Sequence, residues 1–527
     1  MEITGEMLIG ARSVRGGHGV VHSVNPATGE KMAPAFGGGS AKDVDDACTL
    51  AMNAFDAYRA IGLEKRAHFL ETIAQGIIDL GDLLVERVMS ESGLPRPRIE
   101  GERARTVGQL KLFAGLVREG RWLNVTVDHA MPERKPMPRP DLRAQKIPLG
   151  PVAVFGASNF PLAFSVGGGD TASALAAGCP VVAKSHPSHL GTSELVGRAI
   201  QRAVADCGLP EGVFSLLVGD GNAVGEALVV HPAIQAVGFT GSRRGGRALV
   251  ALAAGREVPI PVFAEMSSIN PVFVLPGALA ERSETIARGL IDSVTLGTGQ
   301  FCTKPGIVIA MEGTDFDRFQ REAEASTQAK TSTTMLNAGI HSAYEQGTAK
   351  WAGENKVSTL ATGQPPAAAT CGGKPMLFAT KAQHFLATPA LMEEVFGPAC
   401  LLIACRNAEE IVAVAEHLSG QLTATLQLAE EDMELARKLL PVLERKAGRI
   451  LVNGFPTGVE VSYAMVHGGP SPSTSDSRVT SVGAMAIERF LRPVCYQDLP
   501  SALLPEPLQE NNPLHVWRLI DGKLQQP

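Results

Sequence analysis

The sequence lacks three features that would each indicate a particular class of protein. It has no long basic run, no apolar run near the length of a membrane span and no Cys-x-x-Cys pair. A membrane helix needs about 20 consecutive apolar residues, so we expect no contact with a membrane. The formal net charge of -6, without basic clustering, gives no reason to expect nucleic acid as a partner.

The eight cysteines are scattered along the chain. Their spacing argues against a zinc ribbon or a disulfide framework and favours a reducing compartment. The first residues carry Glu2 and Glu6 and lack the basic-then-apolar pattern of a secretory signal. We therefore expect a cytoplasmic protein.

The glycine fingerprint Gly-x-Gly-x-x-Gly of dinucleotide-binding sheets is also missing. The chain nevertheless has 527 residues, 45% of them hydrophobic and 19% charged, which predicts an ordinary globular protein of two or three domains. Any dinucleotide must be held by a different arrangement.

The first part of the chain is predicted to be helical. Ser40 and Asp43 form a capping box, and apolar residues recur at helical spacing after them. Further helices are predicted over 64–80, 82–90 and 103–118. We interpret this region as packing scaffold and assign it no chemistry. The stretch 131–148 is rich in proline and arginine, and we expect an edge ribbon or an intersubunit arm there.

From Gly150 onward, strands and helices alternate. Strands are predicted over 151–155, 180–183, 213–218, 236–239 and 259–263, with helices over 164–177, 192–207, 222–230 and 243–255. This pattern predicts a doubly wound parallel sheet, which binds ligands beyond the carboxyl ends of its strands. A second alternating region, about 279–453, predicts a second α/β domain.

One cysteine lies in a setting that suits a nucleophile. Cys302 follows the flexible residues Gly297 and Gly299, and the apolar segment 306–310 after it reads as a buried strand. A thiol on a loop backed by a rigid strand can be presented to a cleft. Most single cysteines are small buried apolar residues, so the interpretation depends on supporting groups elsewhere.

Two polar residues at predicted strand ends provide that support. Glu265 follows the strand 259–263 and suits a general base, and burial would raise its pKa toward the working pH. Asn159 follows the strand 151–155, and its amide suits a developing oxyanion. The plainer alternatives are an ion-paired glutamate and a turn asparagine.

Other strand ends carry candidate coenzyme contacts. The stretch 239–246 joins a strand to a helix, and its free backbone N–H groups form an anion site. Lys184 ends the strand 180–183, where it can reach a ribose or a phosphate. His186 and His189 have no third ligand close in sequence, so we expect no metal.

Taken in order, these motifs resemble the aldehyde dehydrogenase superfamily over nearly the whole chain. The matching pieces are Ser158-Asn159-Phe160-Pro161, Lys184, Phe239-Thr240-Gly241-Ser242, Glu265, Gly299-Gln300-Phe301-Cys302 and Glu394-Val395-Phe396-Gly397-Pro398.

The resemblance implies an α/β fold with a Rossmann-like doubly wound coenzyme domain (1–128 and 149–265). It also implies a second α/β catalytic domain (266–470) and a small β oligomerisation hairpin formed by bridging segments (129–148 and 489–527), within a homodimer or homotetramer. Cys302 is then the nucleophile, Glu265 the water-activating base and Asn159 the oxyanion donor. The coenzyme contacts implied are Ser158, Lys184, His186, Gly221, Gly225, Gly241, Ser242, Gly246, Glu394 and Phe396.

The sequence departs from the usual family pattern at several positions. Ser158 replaces a tryptophan, Met266-Ser267-Ser268 replaces Leu-Gly-Gly, and Pro187 replaces a glutamate that binds the adenosine ribose. Without that glutamate a 2′-phosphate meets no like charge, so NADP is expected, with NAD possible. The departures resemble a long branch that contains α-ketoglutarate semialdehyde (2,5-dioxovalerate) dehydrogenases and NADP-dependent fatty aldehyde dehydrogenases, of which we favour the first.

Three alternatives remain at this stage. A non-redox cysteine hydrolase would need a histidine partner, and no motif supplies one. An acyltransferring dehydrogenase that uses coenzyme A would not need Glu265. A non-enzymatic relative would be expected to have lost Cys302 or Glu265.

Overall fold

The computed structural model describes residues 2–219, 221–366 and 370–526. Within them, the strands form three large sheets and one two-stranded sheet. The strands, in chain order, are β1 (Met7–Ile9), β2 (Arg12–Val14), β3 (Val20–Val21), β4 (Phe36–Gly37), β5 (Val125–Asp128), β6 (Leu142–Pro148), β7 (Val152–Phe155), β8 (Val181–Lys184), β9 (Phe214–Leu217), β10 (Ala236–Thr240), β11 (Val262–Glu265), β12 (Val272–Val274), β13 (Ile307–Met311), β14 (Ser358–Thr362), β15 (Met376–Lys381), β16 (Ala399–Cys405), β17 (Gln421–Gln427), β18 (Ala447–Val452), β19 (Leu491–Gln497), β20 (Arg518–Ile520) and β21 (Lys523–Gln525).

The helices confirm the predicted alternation, with shifted ends. They are α1 (Ala41–Arg59), α2 (Leu63–Asp79), α3 (Gly81–Ser92), α4 (Arg96–Glu119), α5 (Gly169–Ala177), α6 (Leu190–Asp206), α7 (Ala223–Val230), α8 (Arg243–Ala254), α9 (Pro276–Thr295), α10 (Thr314–Ala329), α11 (Ala338–Gly353), α12 (Ala382–Ala387), α13 (Ala408–His417) and α14 (Met433–Glu444).

The first sheet, here the N-terminal sheet, has the strand order β11-β10-β7-β8-β9-β1-β2. Strands β7 to β11 are parallel, and the order reverses between β7 and β10. This confirms the predicted doubly wound sheet. The antiparallel pair β1 and β2 extends it and was not predicted, because three-residue strands leave little period-2 pattern.

The second sheet, here the C-terminal sheet, has the order β14-β15-β16-β13-β12-β17-β18. Its strands are parallel except for the edge strand β14. Its central strands are apolar throughout, as expected for a parallel sheet covered by helices on both faces.

The third sheet, here the bridging sheet, has the order β19-β6-β5-β20-β21. It joins the strand at the end of the proline-rich stretch to the last part of the chain, with β6 and β19 paired antiparallel. The predicted hairpin is therefore part of a five-stranded sheet that also takes in β5.

Some predicted boundaries are wrong for identifiable reasons. The helix predicted over 103–118 begins at Arg96, because Pro95 supplies its start and Pro97 is tolerated in the first turn. The helix predicted from 164 begins at Gly169, after a run of turns. The strand predicted over 259–263 is Val262–Glu265, so Glu265 ends that strand instead of following it.

Local sequence signals explain the helix ends that were predicted correctly. Ser40 caps α1, its side chain accepting from the Asp43 backbone N–H while the Asp43 carboxylate accepts from the Ser40 backbone N–H. The inner face of α1 then buries Val44, Ala47, Cys48, Ala51, Ala54 and Tyr58. Within the described ranges, no helix is both long enough and apolar enough to cross a membrane.

Candidate active site

The Cys302 loop joins the end of α9 to β13. Gly297, Thr298 and Gly299 all have positive φ, at 56°, 58° and 65°. A Cβ on Gly299 would lie 2.4 Å from the Gly397 carbonyl carbon, so only glycine fits there. This contact places the segment that contains Glu394 and Phe396 against the cysteine loop.

The side-chain amide of Asn270 holds the Cys302 loop in place. Its Nδ2 donates to the carbonyls of Cys302 and Lys304, both at 2.9 Å. The Lys304 ammonium in turn donates to the carbonyls of Ala399 (2.8 Å) and Val395 (3.2 Å). The thiol is therefore carried by a backbone whose polar groups are tied to the C-terminal sheet.

Asn159 lies beside the same loop, as the sequence predicted. Its Nδ2 donates to the Gln300 carbonyl at 3.0 Å, which leaves the second N–H of the amide for another acceptor. The turn that carries it is supported by His189, whose Nε2 lies 3.0 Å from the Ala157 carbonyl. The Asn159 side chain is thus fixed within two residues of the nucleophile.

The structure adds a histidine to the site. His467 Nε2 lies 3.5 Å from Cys302 Sγ and 3.0 Å from Glu265 Oε2. Both His467 and Glu265 are buried, with 1% and 3% of their surfaces exposed. No motif in the sequence places a histidine partner for the cysteine, whereas folding brings His467 to it. The two residues are 165 positions apart, and His467 is marked only by the Gly468-Gly469 pair after it.

Within this group of three side chains, the pKa of the Cys302 thiol and the pKa of the Glu265 carboxyl group are shifted in opposite directions. Burial raises the pKa of the Cys302 thiol well above its ordinary value, and the Glu265 carboxylate adds to the rise. Burial raises the pKa of Glu265, but the charge and hydrogen bond of His467, together with hydrogen bonds from Cys302 and Ser481, lower it below its ordinary value. The expectation that the pKa of Glu265 would lie nearer the working pH was therefore wrong.

The residues predicted to bind a coenzyme cluster at one edge of the N-terminal sheet. Phe155 at the end of β7 pairs with Lys184 on β8 and with Phe239 on β10, so Ser158, Lys184, Gly241 and Ser242 follow adjacent strand ends. Ser242 caps α8, and its hydroxyl accepts from the Gly245 N–H. Gly225 faces Lys184, where a Cβ would lie 3.1 Å from the Phe155 ring and 3.5 Å from the lysine Cδ.

Three further residues were predicted to bind the coenzyme: His186, Gly221 and Gly246. His186 accepts from the Ser188 N–H, and its ring stacks on His189 at 5.3 Å. Gly221 turns the chain after β9 with φ of 67°, and Gly246 packs against Met266, 2.7 Å from a notional Cβ.

Between the N-terminal and C-terminal sheets lies a cleft of about 530 Å³ that suits part of a dinucleotide. Arg243 and Arg244 at the start of α8 line one side of it, and Glu394 and Ser267 line the other. Burial raises the pKa of Glu394 to about 7. A helix start, arginines and a carboxylate are the groups that bind phosphates and ribose hydroxyls, so the cleft fits a nicotinamide dinucleotide.

A second cavity, of about 270 Å³, opens onto Cys302. The rings of Phe160, Phe164 and Phe301 form one wall, and α4 contributes Arg98 and Arg105. No chemistry was predicted for this helix, because nothing in a helical sequence indicates which cavity its face will line.

Comparisons with known proteins agree with this geometry. The model of the aldehyde dehydrogenase family matches residues 14–493. The α-ketoglutaric semialdehyde dehydrogenase 2 of Azospirillum brasilense is 60% identical, covering 99% of this chain and 100% of its own. The α-ketoglutaric semialdehyde dehydrogenase of Acinetobacter baylyi is 48% identical over 100% of this chain and 99% of its own.

Solved structures share the fold. Lactaldehyde dehydrogenase from Escherichia coli superposes with a TM-score of 0.81 at 22% identity, covering 93% of this chain and 98% of that one. A 3,6-anhydro-L-galactose dehydrogenase gives 0.80 at 23% identity, covering 93% and 99%.

The chain therefore belongs to the aldehyde dehydrogenase family. As a member, it is an enzyme that uses a nicotinamide coenzyme to oxidise a small aldehyde to a carboxylic acid. This confirms the dehydrogenase interpretation over the cysteine hydrolase, even though the histidine that the hydrolase would require is present.

Proposed function

We propose that the chain oxidises α-ketoglutarate semialdehyde to 2-oxoglutarate, with NADP as the preferred coenzyme and NAD as an accepted alternative. The names and near-complete coverage of the two relatives, at 60% and 48% identity, support this substrate. The chemistry rests on one observation: His467 Nε2 lies 3.5 Å from the Cys302 sulfur and 3.0 Å from the Glu265 carboxylate.

In the first step of the proposed mechanism, the Cys302 proton passes to the buried pair formed by His467 and Glu265. A thiol with a raised pKa needs such an acceptor near neutral pH, and the imidazolium that results is stabilised by Glu265. The thiolate adds to the aldehyde carbon, and the carbonyl electrons move to oxygen. The Asn159 amide and the Cys302 backbone N–H donate hydrogen bonds to that oxyanion.

A nicotinamide coenzyme held in the cleft between the sheets would supply the hydride acceptor for the tetrahedral carbon, and the acyl group would then remain on Cys302 as a thioester. Glu265 then accepts a proton from a water molecule, and the water oxygen attacks the thioester carbon. The carbon–sulfur bond breaks, the acid departs as RCOOH, and the sulfur regains its proton from His467. Glu265 releases the proton taken from water to the solvent, so each turnover sends one hydride to the coenzyme and one proton to the solvent. In this scheme Glu394 would hold the nicotinamide ribose, and Phe396 would pack near the ring.

The preference for NADP is supported by the turn after β8. Pro187 begins a short 3-10 turn at the position three residues after Lys184, so that position carries no carboxylate to repel a 2′-phosphate. Burial lowers the pKa of Lys184 at the end of the strand, and an added phosphate would stabilise its charged form.

The assembly and domain arrangement are part of the same proposal. We assign 1–128 and 149–265 to the coenzyme domain and 266–470 to the catalytic domain, in a cytoplasmic homodimer or homotetramer. Support comes from the bridging sheet, whose edge strand β21 is exposed throughout and whose backbone can pair with a second copy.

A panel of aldehydes assayed with NADP and with NAD tests the proposal. We expect the highest kcat/KM for α-ketoglutarate semialdehyde with NADP, when compared with succinic semialdehyde, pentanal and dodecanal. A higher kcat/KM for dodecanal would identify a fatty aldehyde dehydrogenase instead. A preference for NAD would overturn the coenzyme assignment alone.

A further inference from the structure

Three side chains of the active site bring together the atom types that bind zinc. Cys302 offers Sγ, His467 offers a ring nitrogen and Glu265 offers a carboxylate oxygen, and these ligand atoms all lie within 4.8 Å of one another. Thiolate, imidazole and carboxylate are the ligands that Zn²⁺ takes in proteins. Among residues 2–219, 221–366 and 370–526, no other three side chains of these types meet as closely.

The measured separations are close to those of a tetrahedral zinc centre. Zn–S bonds of about 2.3 Å and Zn–N and Zn–O bonds of about 2.1 Å place sulfur and nitrogen about 3.6 Å apart and nitrogen and oxygen about 3.4 Å apart. Here Cys302 Sγ and His467 Nε2 are 3.5 Å apart, and His467 Nε2 and Glu265 Oε2 are 3.0 Å apart. Small side-chain rotations are therefore enough to admit an ion.

The charges of the three ligands match a divalent cation. A thiolate and a carboxylate together carry two negative charges and a neutral imidazole adds none, so a bound Zn²⁺ leaves the group neutral. This matters because His467 and Glu265 are buried, where an uncompensated charge is costly.

An ion can reach the sulfur through the cavity of about 270 Å³ that opens onto Cys302. Cys302 is the partly exposed member of the group, whereas His467 and Glu265 are buried. The cavity leaves room for a water molecule as the fourth ligand, as in zinc sites with three protein ligands. Because an aldehyde must approach the same sulfur, the ion and the aldehyde exclude each other.

The second ring nitrogen of His467 indicates how firmly an ion is held. A histidine that binds a resident metal almost always donates its other N–H to a carboxylate, a carbonyl or water. His467 Nδ1 is buried and has no hydrogen-bond partner among the described residues. The group lacks this supporting contact, so we expect an exchangeable ion and not a permanent cofactor.

We propose that Cys302, His467 and Glu265 form an inhibitory site for a thiophilic divalent cation of the zinc class. On binding, the Cys302 thiol loses its proton to the solvent, and sulfur, nitrogen and oxygen lone pairs coordinate the ion with no change of oxidation state. The sulfur can then not add to an aldehyde, and Glu265 can not accept a proton from water. The site rests on the proposed function only in that Cys302 is the nucleophile, and it does not depend on which aldehyde is oxidised.

Titration calorimetry with Zn²⁺ on the full-length protein, without aldehyde or chelator, tests the site directly. We expect a single ion per subunit, with the Kd raised at least about 100-fold by Cys302→Ser and at least about tenfold by His467→Gln. Cys495→Ser is the matched control, because it removes an exposed thiol, and should change the Kd less than about twofold. Equal affinity in the wild type and in Cys302→Ser would mean an adventitious ion only and would overturn the proposal.

The absorbance of Co²⁺, used in place of Zn²⁺, reports the ligands and their geometry. A sulfur ligand gives a thiolate-to-cobalt band in the near ultraviolet, and a tetrahedral site gives stronger visible bands than an octahedral one. We expect both in the wild type. Cys302→Ser should lose the ultraviolet band, and His467→Gln and Glu265→Gln should weaken the visible bands. Unchanged visible bands in the last two variants would show that the sulfur binds alone, contrary to a site of three ligands.

A third readout uses the wild type alone and so does not depend on how any variant folds. Zn²⁺ should inhibit aldehyde oxidation competitively with the aldehyde, and EDTA should reverse the inhibition. It should also slow alkylation of Cys302 by iodoacetamide at least about tenfold and leave Cys495 in the same sample unchanged. Equal slowing at both cysteines, or inhibition that EDTA does not reverse, would overturn the site. If α-ketoglutarate semialdehyde were a poor substrate while Zn²⁺ still protected Cys302, the proposed substrate would fail and the metal site would stand.

Discussion

At the scale of single residues, the side chains of Cys302, Glu265 and His467 lie together, and the protons of the site are distributed among them. The thiol of Cys302 has a raised pKa, and the carboxylate of Glu265 has a lowered one. Because His467 Nε2 lies within reach of both, it can hold the thiol proton while Glu265 stays ionised. Replacing His467 and replacing Glu265 should therefore have different kinetic effects.

Replacing Glu265 with glutamine should separate acylation from hydrolysis. We expect a burst of about one reduced nicotinamide per subunit, followed by steady-state turnover at least about 100-fold slower, because no group deprotonates the attacking water. Stopped-flow absorbance measures both phases. Cys302→Ala, which cannot form the thioester, should give no burst, and full steady-state turnover by Glu265→Gln would contradict the assigned role.

Replacing His467 with glutamine should slow formation of the thiolate. Since the raised thiol pKa leaves little thiolate at neutral pH, alkylation of Cys302 by iodoacetamide should speed up as the pH rises. In His467→Gln we expect alkylation at pH 7.5 to slow at least about tenfold and its pH profile to move upward.

Mass spectrometry of the alkylated peptides follows Cys302 and the exposed Cys495 in one sample. The rate at Cys495 serves as an internal reference that should not change. Equal Cys302 rates in both proteins would exclude His467 as the proton acceptor.

At the scale of elements, the Cys302 loop depends on a contact from another strand end. Asn270 follows β11 by five positions, has φ of 46° and is fully buried. Its Oδ1 accepts from Ser268 Oγ (2.9 Å) and Thr423 Oγ1 (3.0 Å), while its Nδ2 holds the loop carbonyls. The loop is thus as rigid as the sheet to which it is bonded.

We expect Asn270→Ala to lower the free energy of unfolding by about 3 kcal/mol, because it leaves buried carbonyls unpaired and strains a left-handed residue. Chemical denaturation measures the loss. Asn124→Ala is the control for backbone strain, since Asn124 is exposed with φ of 48° and should cost about 1 kcal/mol. Equal losses in the two variants would show that the loop bonds contribute nothing.

At the scale of the whole molecule, the coenzyme cleft joins the two large sheets. The N-terminal sheet supplies strand ends and the start of α8, and the C-terminal sheet supplies Glu394 through the contact between Gly299 and Gly397. We therefore predict that affinity for the coenzyme depends on Glu394, whose pKa is raised to about 7.

Coenzyme affinity should rise with pH because Glu394, with a pKa of about 7, accepts ribose hydrogen bonds more strongly as the carboxylate than as the protonated acid. Below that pH the Glu394 carboxyl group is mostly protonated, so we expect the Kd for NADP to be up to about tenfold higher at pH 6 than at pH 8. Titration calorimetry on the inactive Cys302→Ala protein measures it. Glu394→Gln should remove the dependence, and Glu409→Gln, an exposed carboxylate on α13, should retain it.

Local periodicity and short motifs at strand ends were enough to predict the alternating strands and helices, the family and Cys302 as the candidate nucleophile. They did not predict that His467 lies beside Cys302, that Arg105 lines the neighbouring cavity or that the Glu265 pKa is lowered. The reason is physical: a side chain's proton affinity and contacts depend on neighbours brought close by folding across 165 or more positions, and no local pattern records them.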